Sequence, residues 1–254
     1  GNLAAMKAAM GDYKGAETEY RDLLARQSRV FGRKSVVTAQ SMTSLASVLR
    51  SQQRYAEAEP LLVEALATYE SAYGKEHARV AFTLSSLGVV KGSLKQFKQA
   101  RPLLERALAI NTKLRGKVHR DVAQSMSALG TLSGDEGNWA AAEKMHRQAL
   151  DVWEKALGKT HVEVALARAR LARAVYARRR PEEAASLYKD ALGAMLATGM
   201  PATSASLKDT RLRYAQSLIA LRRRSAADSV LAIVPDSGLT AAQKALRDSL
   251  RARD

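Results

Sequence analysis

The side chains best placed to do chemistry in this 254-residue chain are three histidines in step, His77, His119 and His161, each 42 residues after the last. Histidine is the usual proton carrier and a common metal ligand near neutral pH. The spacing opposes both uses. A repeat of two packed helices separates equivalent residues by about 15–20 Å, whereas the protein ligands of one zinc ion lie within about 2.0–2.2 Å of it when they are nitrogen or oxygen. Each of these histidines instead falls where a helix should open, a place where a side chain can cap free amide groups. The fourth, His146, lies within a helical stretch and has no companion in the sequence. With no cysteine in the chain, disulfides and cysteine nucleophiles or ligands are excluded. No phosphate-cradling glycine loop, HExxH pattern or assembled Ser-His-acid triad is present. The expectation is a chain that is not an enzyme and needs no cofactor and no metal.

The elements that would hold these residues follow from a period of 42. Tyr13, Tyr55, Phe97 and Trp139 recur at that interval, with Pro181 in the fifth place. Ala16, Ala58, Ala100, Ala142 and Ala184 keep step three residues on, and Gly32, Gly74, Gly116 and Gly158 mark a turn. Within one unit Phe97, Ala100, Leu103, Leu104, Ala107 and Leu108 form one helical stripe, and Val80, Leu84 and Leu87 another. Each unit is therefore two antiparallel helices, A then B, whose alanines let the axes approach to about 8 Å.

The ends depart from the pattern. Leu3-Ala4 aligns with Leu45-Ala46, so the first helix A lacks its front half, and the expectation is a fragment preceded by further chain. Ser225 with Asp228 should open a short last B helix, which Pro235 and Gly238 break. Thr240 with Gln243 should then start a cap that buries Leu246 and Leu250 and exposes Arg247, Arg251 and Arg253. The domain reading is a solenoid over residues 1–234, with units anchored at 13, 55, 97, 139 and 181 and a degenerate one near 225, then a capping helix over 239–254.

Composition narrows the partners. The net charge of +16 is uneven, reaching +6 in residues 139–180 against −1 in residues 55–96. Such an excess favours acidic partners and salt-sensitive association. The arginine triplets 178–180 and 222–224 each fall at the end of an A helix, where cations meet the negative end of the dipole; nucleic-acid contact is their alternative reading. No window approaches the roughly 18 apolar residues of a membrane span, so no membrane contact is expected, and the cytoplasm is the expected location.

The run YAEAEPLLVEALATYESAYGKEHARVAFTLSSLG, residues 55–88, resembles the 42-residue tetratricopeptide unit of the kinesin light chain class. Leu45-Ala46, Leu87-Gly88, Leu129-Gly130 and Leu171-Ala172, each ten residues before the anchor, set it apart from HEAT and armadillo repeats. The resemblance implies an all-α, right-handed α-solenoid of antiparallel helix pairs, whose A helices line an inner wall that holds a protein or peptide. On this register the wall comprises Gln40, Thr43, Ser47 and Arg50, then Phe82, Ser85 and Val89. It continues with Gln124, Ser127, Thr131 and Asp135, then Leu166, Arg173 and Tyr176, and finally Asp209, Leu212 and Gln216. Hydroxyl and amide groups would bond a peptide backbone, Phe82, Leu166 or Tyr176 would grip a side chain, and Arg50 and Arg173 would meet an acidic residue. The asparagines that clamp a terminal carboxylate, or form the ladder of kinesin light chains, have no counterpart in SMTSLA, TLSSLG and SMSALG. The expected function is a protein-protein interaction scaffold in a larger regulatory protein. The alternatives are a basic solenoid that binds nucleic acid and the sensing arm of a bacterial Ser/Thr kinase, the alanine and arginine richness suggesting a high-GC bacterial source.

Overall fold

The structure, a computed structural model, describes residues 2–252. It forms two compact units, one ending at Gly116 and the other beginning at Lys117. The first contains α1 (Asn2–Ala9), α2 (Tyr13–Phe31), α3 (Val36–Ser51), α4 (Tyr55–Tyr73), α5 (Ala78–Ser93) and α6 (Phe97–Arg115). The second contains α7 (Arg120–Asp135), α8 (Trp139–Leu157), α9 (Val162–Ala177), α10 (Pro181–Ala197), α11 (Ala205–Ala220), α12 (Arg224–Ala232) and α13 (Ala241–Arg251). Odd-numbered helices up to α11 are A helices and even-numbered ones are B helices.

Capping explains where the A helices start. The Ser35 hydroxyl accepts the Thr38 amide at 3.2 Å. In the next two units of the repeat His77 Nδ1 accepts the Arg79 amide at 3.2 Å and His119 Nδ1 the Asp121 amide at 3.1 Å. His161 does the same for Glu163 at 3.1 Å. The in-step histidines are therefore helix caps, the role their position suggests.

Two kinds of turn alternate along the chain. After each A helix the backbone enters the left-handed region, at Gln53 (φ 61), Lys95 (φ 63), Gly137 (φ 85), Arg179 (φ 62) and Arg222 (φ 57). The following amide returns to the helix, as when Arg54 N donates to Leu49 O at 2.9 Å. After α2, α4, α6 and α8 the chain turns on a glycine. Gly74 has φ 79 and ψ 172, a conformation that only a residue without Cβ adopts readily.

The first unit buries Leu45, Leu49, Leu62 and Leu87 in one cluster and Met42, Tyr69, Leu84 and Ile110 in another. In the second, Trp153 packs with Val152 and Val164, and Tyr188 with Leu171 and Val175. Leu212, Leu218, Leu231 and Leu250 close its far end. Here α13 lies on α11, and Gln243 of its capping box donates to Ala205 O at 3.1 Å.

Three details at this end differ from the sequence reading. α12 begins at Arg224 with no side-chain cap, because Ser225 already lies inside the helix and Asp228 faces Arg224 at 3.1 Å. Leu212 is fully buried under the cap rather than lining a groove. The Arg247 side chain is only 12% exposed, since it pairs with Asp236 and Asp248. Arg251 is exposed, and Arg253 lies outside the described residues.

Candidate functional site

The A helices expose one face, and on each unit part of it is a cleft. In the first unit a cleft of about 410 Å³ lies between α3 and α5, lined by Gln40, Thr43, Tyr69, Ala78, Arg79 and Phe82. Phe82 is 58% exposed, an unusual state for so large an apolar side chain beside a recess. Arg79 stacks over the Tyr69 ring at 5.7 Å, and its charge is the only formal charge on this lining.

The second unit differs. A cleft of about 290 Å³ between α9 and α11 is lined by Leu166, Ala169, Arg170, Arg173, Tyr188, Ala205, Ser206, Asp209, Thr210 and Arg213. Arg213 is held by Asp209 at 2.8 Å. Arg173 lies 5.6 Å over the Trp139 ring and 4.0 Å from Asp135, the outer limit of an ion pair. Arg170 has no hydrogen-bonding or ion-pairing partner among the described residues. It reaches water, yet enough protein surrounds it that desolvation lowers its pKa, with only a weak opposing pull from Glu163.

Behind Arg170 and Arg173 a second recess, about 30 Å³, is bounded by Gly130, Thr131, Gly134, Asp135, Trp139 and His146. His146 is 4% exposed and its Nδ1 has no partner among the described residues. Burial, reinforced by the nearby charges of Arg170 and Arg173, pushes it down to about 4, so it is neutral at pH 7. Gly130 makes room for the ring, since a Cβ there would lie 2.8 Å from its Cε1.

The positions read from the sequence divide three ways. Gln40, Ser47, Phe82, Gln124, Thr131 and Arg173 are exposed on the A helices, and Arg50, Ser85, Val89, Leu166, Tyr176, Asp209 and Gln216 are half-buried. Ser127 is buried, and its hydroxyl has no hydrogen-bond partner among the described residues. Thr43 is also buried; it touches the first cleft but spends its hydroxyl on Gln40 O at 2.8 Å. Both are short side chains on the flank of helix A that meets the next helix. The sequence reading missed Arg170 and gave His146 no companion. A signal existed for both: Arg170 stands where earlier units have Ser44, Ser86 and Ala128, and His146 where they have Leu62 and Leu104.

The arginine triplet 178–180 has a further role that the sequence reading did not give it. Arg178 and Arg180, with Arg147, surround the buried Glu143 at 2.5, 3.0 and 2.7 Å. Burial pushes that carboxyl up, but the hydrogen bonds from the three guanidiniums outweigh it and hold the pKa at about 2.

Helix hairpins that recur every 42 residues define a helical-repeat protein. The chain belongs to the tetratricopeptide repeat family, whose sequence profile matches residues 1–71, 38–113 and 121–197. No curated protein matches it significantly in sequence. Among solved structures it is similar to a Podosopora anserina putative kinesin light chain with nearly identical repeats, at 21% identity and TM-score 0.62, covering 84% of this chain and 95% of that one. It is similar to a Rap protein complexed with competence and sporulation factor, at 13% identity and TM-score 0.74, covering 98% and 68%. The third is NprR with its cognate peptide NprX, at 17% identity and TM-score 0.68, again covering 98% and 68%. At these identities the likeness is one of fold. Among the described residues no helix is long and apolar enough to cross a membrane.

Proposed function

We propose that the chain is a non-catalytic scaffold that binds a peptide or protein segment along the exposed faces of its A helices. The observation that carries this reading is the pair of clefts on those faces, each combining a partly exposed apolar side chain, Phe82 or Leu166, with polar groups able to bond a backbone. Two proteins of similar fold, the Rap protein and NprR, were solved with a bound factor or peptide, which supports the same use here. The nucleic-acid alternative rests on the net charge of the second unit, part of which is paired within the chain. Arg147, Lys155, Arg168, Arg178 and Arg180, half of the lysines and arginines in segment 139–180, are engaged by Glu143, Asp151, Glu154 and Glu183.

Panning a library of random dodecapeptides on phage against the chain tests the proposal. We expect enrichment of related peptides whose binding falls with Phe82→Ala, or with Arg173→Glu combined with Tyr176→Ala, while the far-UV circular dichroism of the variants is unchanged. Peptides that bind all of these variants as well as the wild type would place the site elsewhere.

A further inference from the structure

The repeat supplies its own control, because every position has counterparts built on the same backbone. At one B-helix position the chain places Tyr20, Leu62, Leu104, His146 and Tyr188, all buried at 8% exposure or less. At one A-helix position it places Ser44, Ser86, Ala128 and Arg170. Packing accounts for leucine at the first and a small residue at the second. It does not account for a buried histidine whose Nδ1 is unbonded, and at the A-helix position the small residue gives way to Arg170, whose guanidinium reaches solvent. The two occur on successive helices, α8 and α9, and both line the recess of about 30 Å³ together with Arg173. That volume holds about two water-sized groups. It is the size of a carboxylate.

We propose that Arg170 and Arg173, with His146 at the back of the recess, form a receptor for the carboxylate of an Asp or Glu side chain in the bound segment. Two guanidiniums present parallel N–H donors to such a group, and Trp139 holds Arg173 in place from beneath. The adjoining cleft is cationic, with Arg170, Arg173 and Arg213 against Asp209. Of the acidic groups nearest the pair, Asp209 holds Arg213 at 2.8 Å, and Asp135, which also lines the recess, meets Arg173 only at 4.0 Å, the outer limit of an ion pair. This inference rests on the scaffold reading above and specifies its ligand.

The test uses the peptides enriched on the whole chain at about 0.15 M salt, where exposed charges further apart than about 8 Å are largely screened. We expect an Asp or Glu at a fixed place, and replacement by Asn or Gln weakening the peptide about tenfold or more. The double variant His146→Leu with Arg170→Ser restores the residues of the second repeat. It should melt about 2–4 °C higher and bind the acidic and amide peptides equally. Enriched peptides with no acidic preference overturn the receptor and leave the scaffold standing; no enriched peptide at all overturns both. A receptor that takes phosphoserine peptides and ignores Glu overturns the carboxylate assignment. So does a stable double variant that still prefers the acid.

Discussion

The cleft of the first unit and that of the second are built on equivalent pairs of A helices, α3 with α5 and α9 with α11, and differ in how much charge they carry. The first is lined by Gln40, Thr43, Tyr69 and Phe82, with Arg79 laid against an aromatic ring. The second replaces that single charge with three arginines and one aspartate, and sets a neutral histidine behind them. The lesson is that a repeat fold separates two tasks. Backbone and alanine contacts recur to maintain stacking, and a few positions are free to carry unpaired charge. The stability cost falls on the buried histidine behind them, whose unbonded Nδ1 is worth roughly 1–3 kcal/mol against the fold, while the exposed guanidiniums stay solvated.

Exchanging the key residue between units is the strongest way to break the comparison. Leu104→His puts an imidazole where Leu104 fills the space above Gly88, and should destabilise the protein by about 3–5 kcal/mol in urea unfolding. His146→Leu should stabilise it by about 1–2 kcal/mol. Equal signs for the two exchanges would show that His146 is an ordinary core residue.

Acid provides the next largest effect. His146 is depressed to about 4 in the folded chain from an ordinary 6.5. Between these values the unfolded chain binds a proton that the folded chain refuses, so stability is full above about pH 6.5 and falls as pH drops toward 4, by about 3 kcal/mol. Glu143, held at about 2 against an ordinary 4.5, adds a second loss from about pH 4.5 down to 2. Thermal melts across pH should show both steps in the wild type, and His146→Leu should remove the upper one alone.

Backbone substitutions sharpen the comparison from the other side, since here the units should agree. Gly74→Ala and Gly158→Ala meet no neighbouring atom but strain φ values of 79 and 83, and each should cost about 1–3 kcal/mol. Lys95→Gly and Arg179→Gly relieve left-handed residues that carry a Cβ and should each stabilise by less than about 1 kcal/mol, with Lys95 giving up its place 5.6 Å over the Phe97 ring. Unequal costs within either pair, measured by denaturant midpoints, would mean that the units do not share one backbone solution.

Much of this was legible in the sequence because it is local and repeated. The interval of 42, the alanine contacts, the glycine turns, the histidine caps and the Thr240–Gln243 capping box each involve residues within one helix or turn of each other, so the chain states them several times over. Which A-helix side chains face outward was legible for Gln40, Phe82, Thr131 and Arg173, where helical register decides. It was not legible for Ser127 and Leu212, whose burial depends on the next helix and on α13.

What the sequence by itself determined, then, is the helix hairpin and its period, together with the turn chemistry that closes each one. Only the tertiary structure decided that Arg178 and Arg180 turn inward onto Glu143, and that His146 and Arg170, 24 residues apart on different helices, share one recess. The physical reason is range. Caps and stripes are settled by neighbours within a few residues, whereas a charge gains its meaning from whatever the packed fold places within hydrogen-bonding distance.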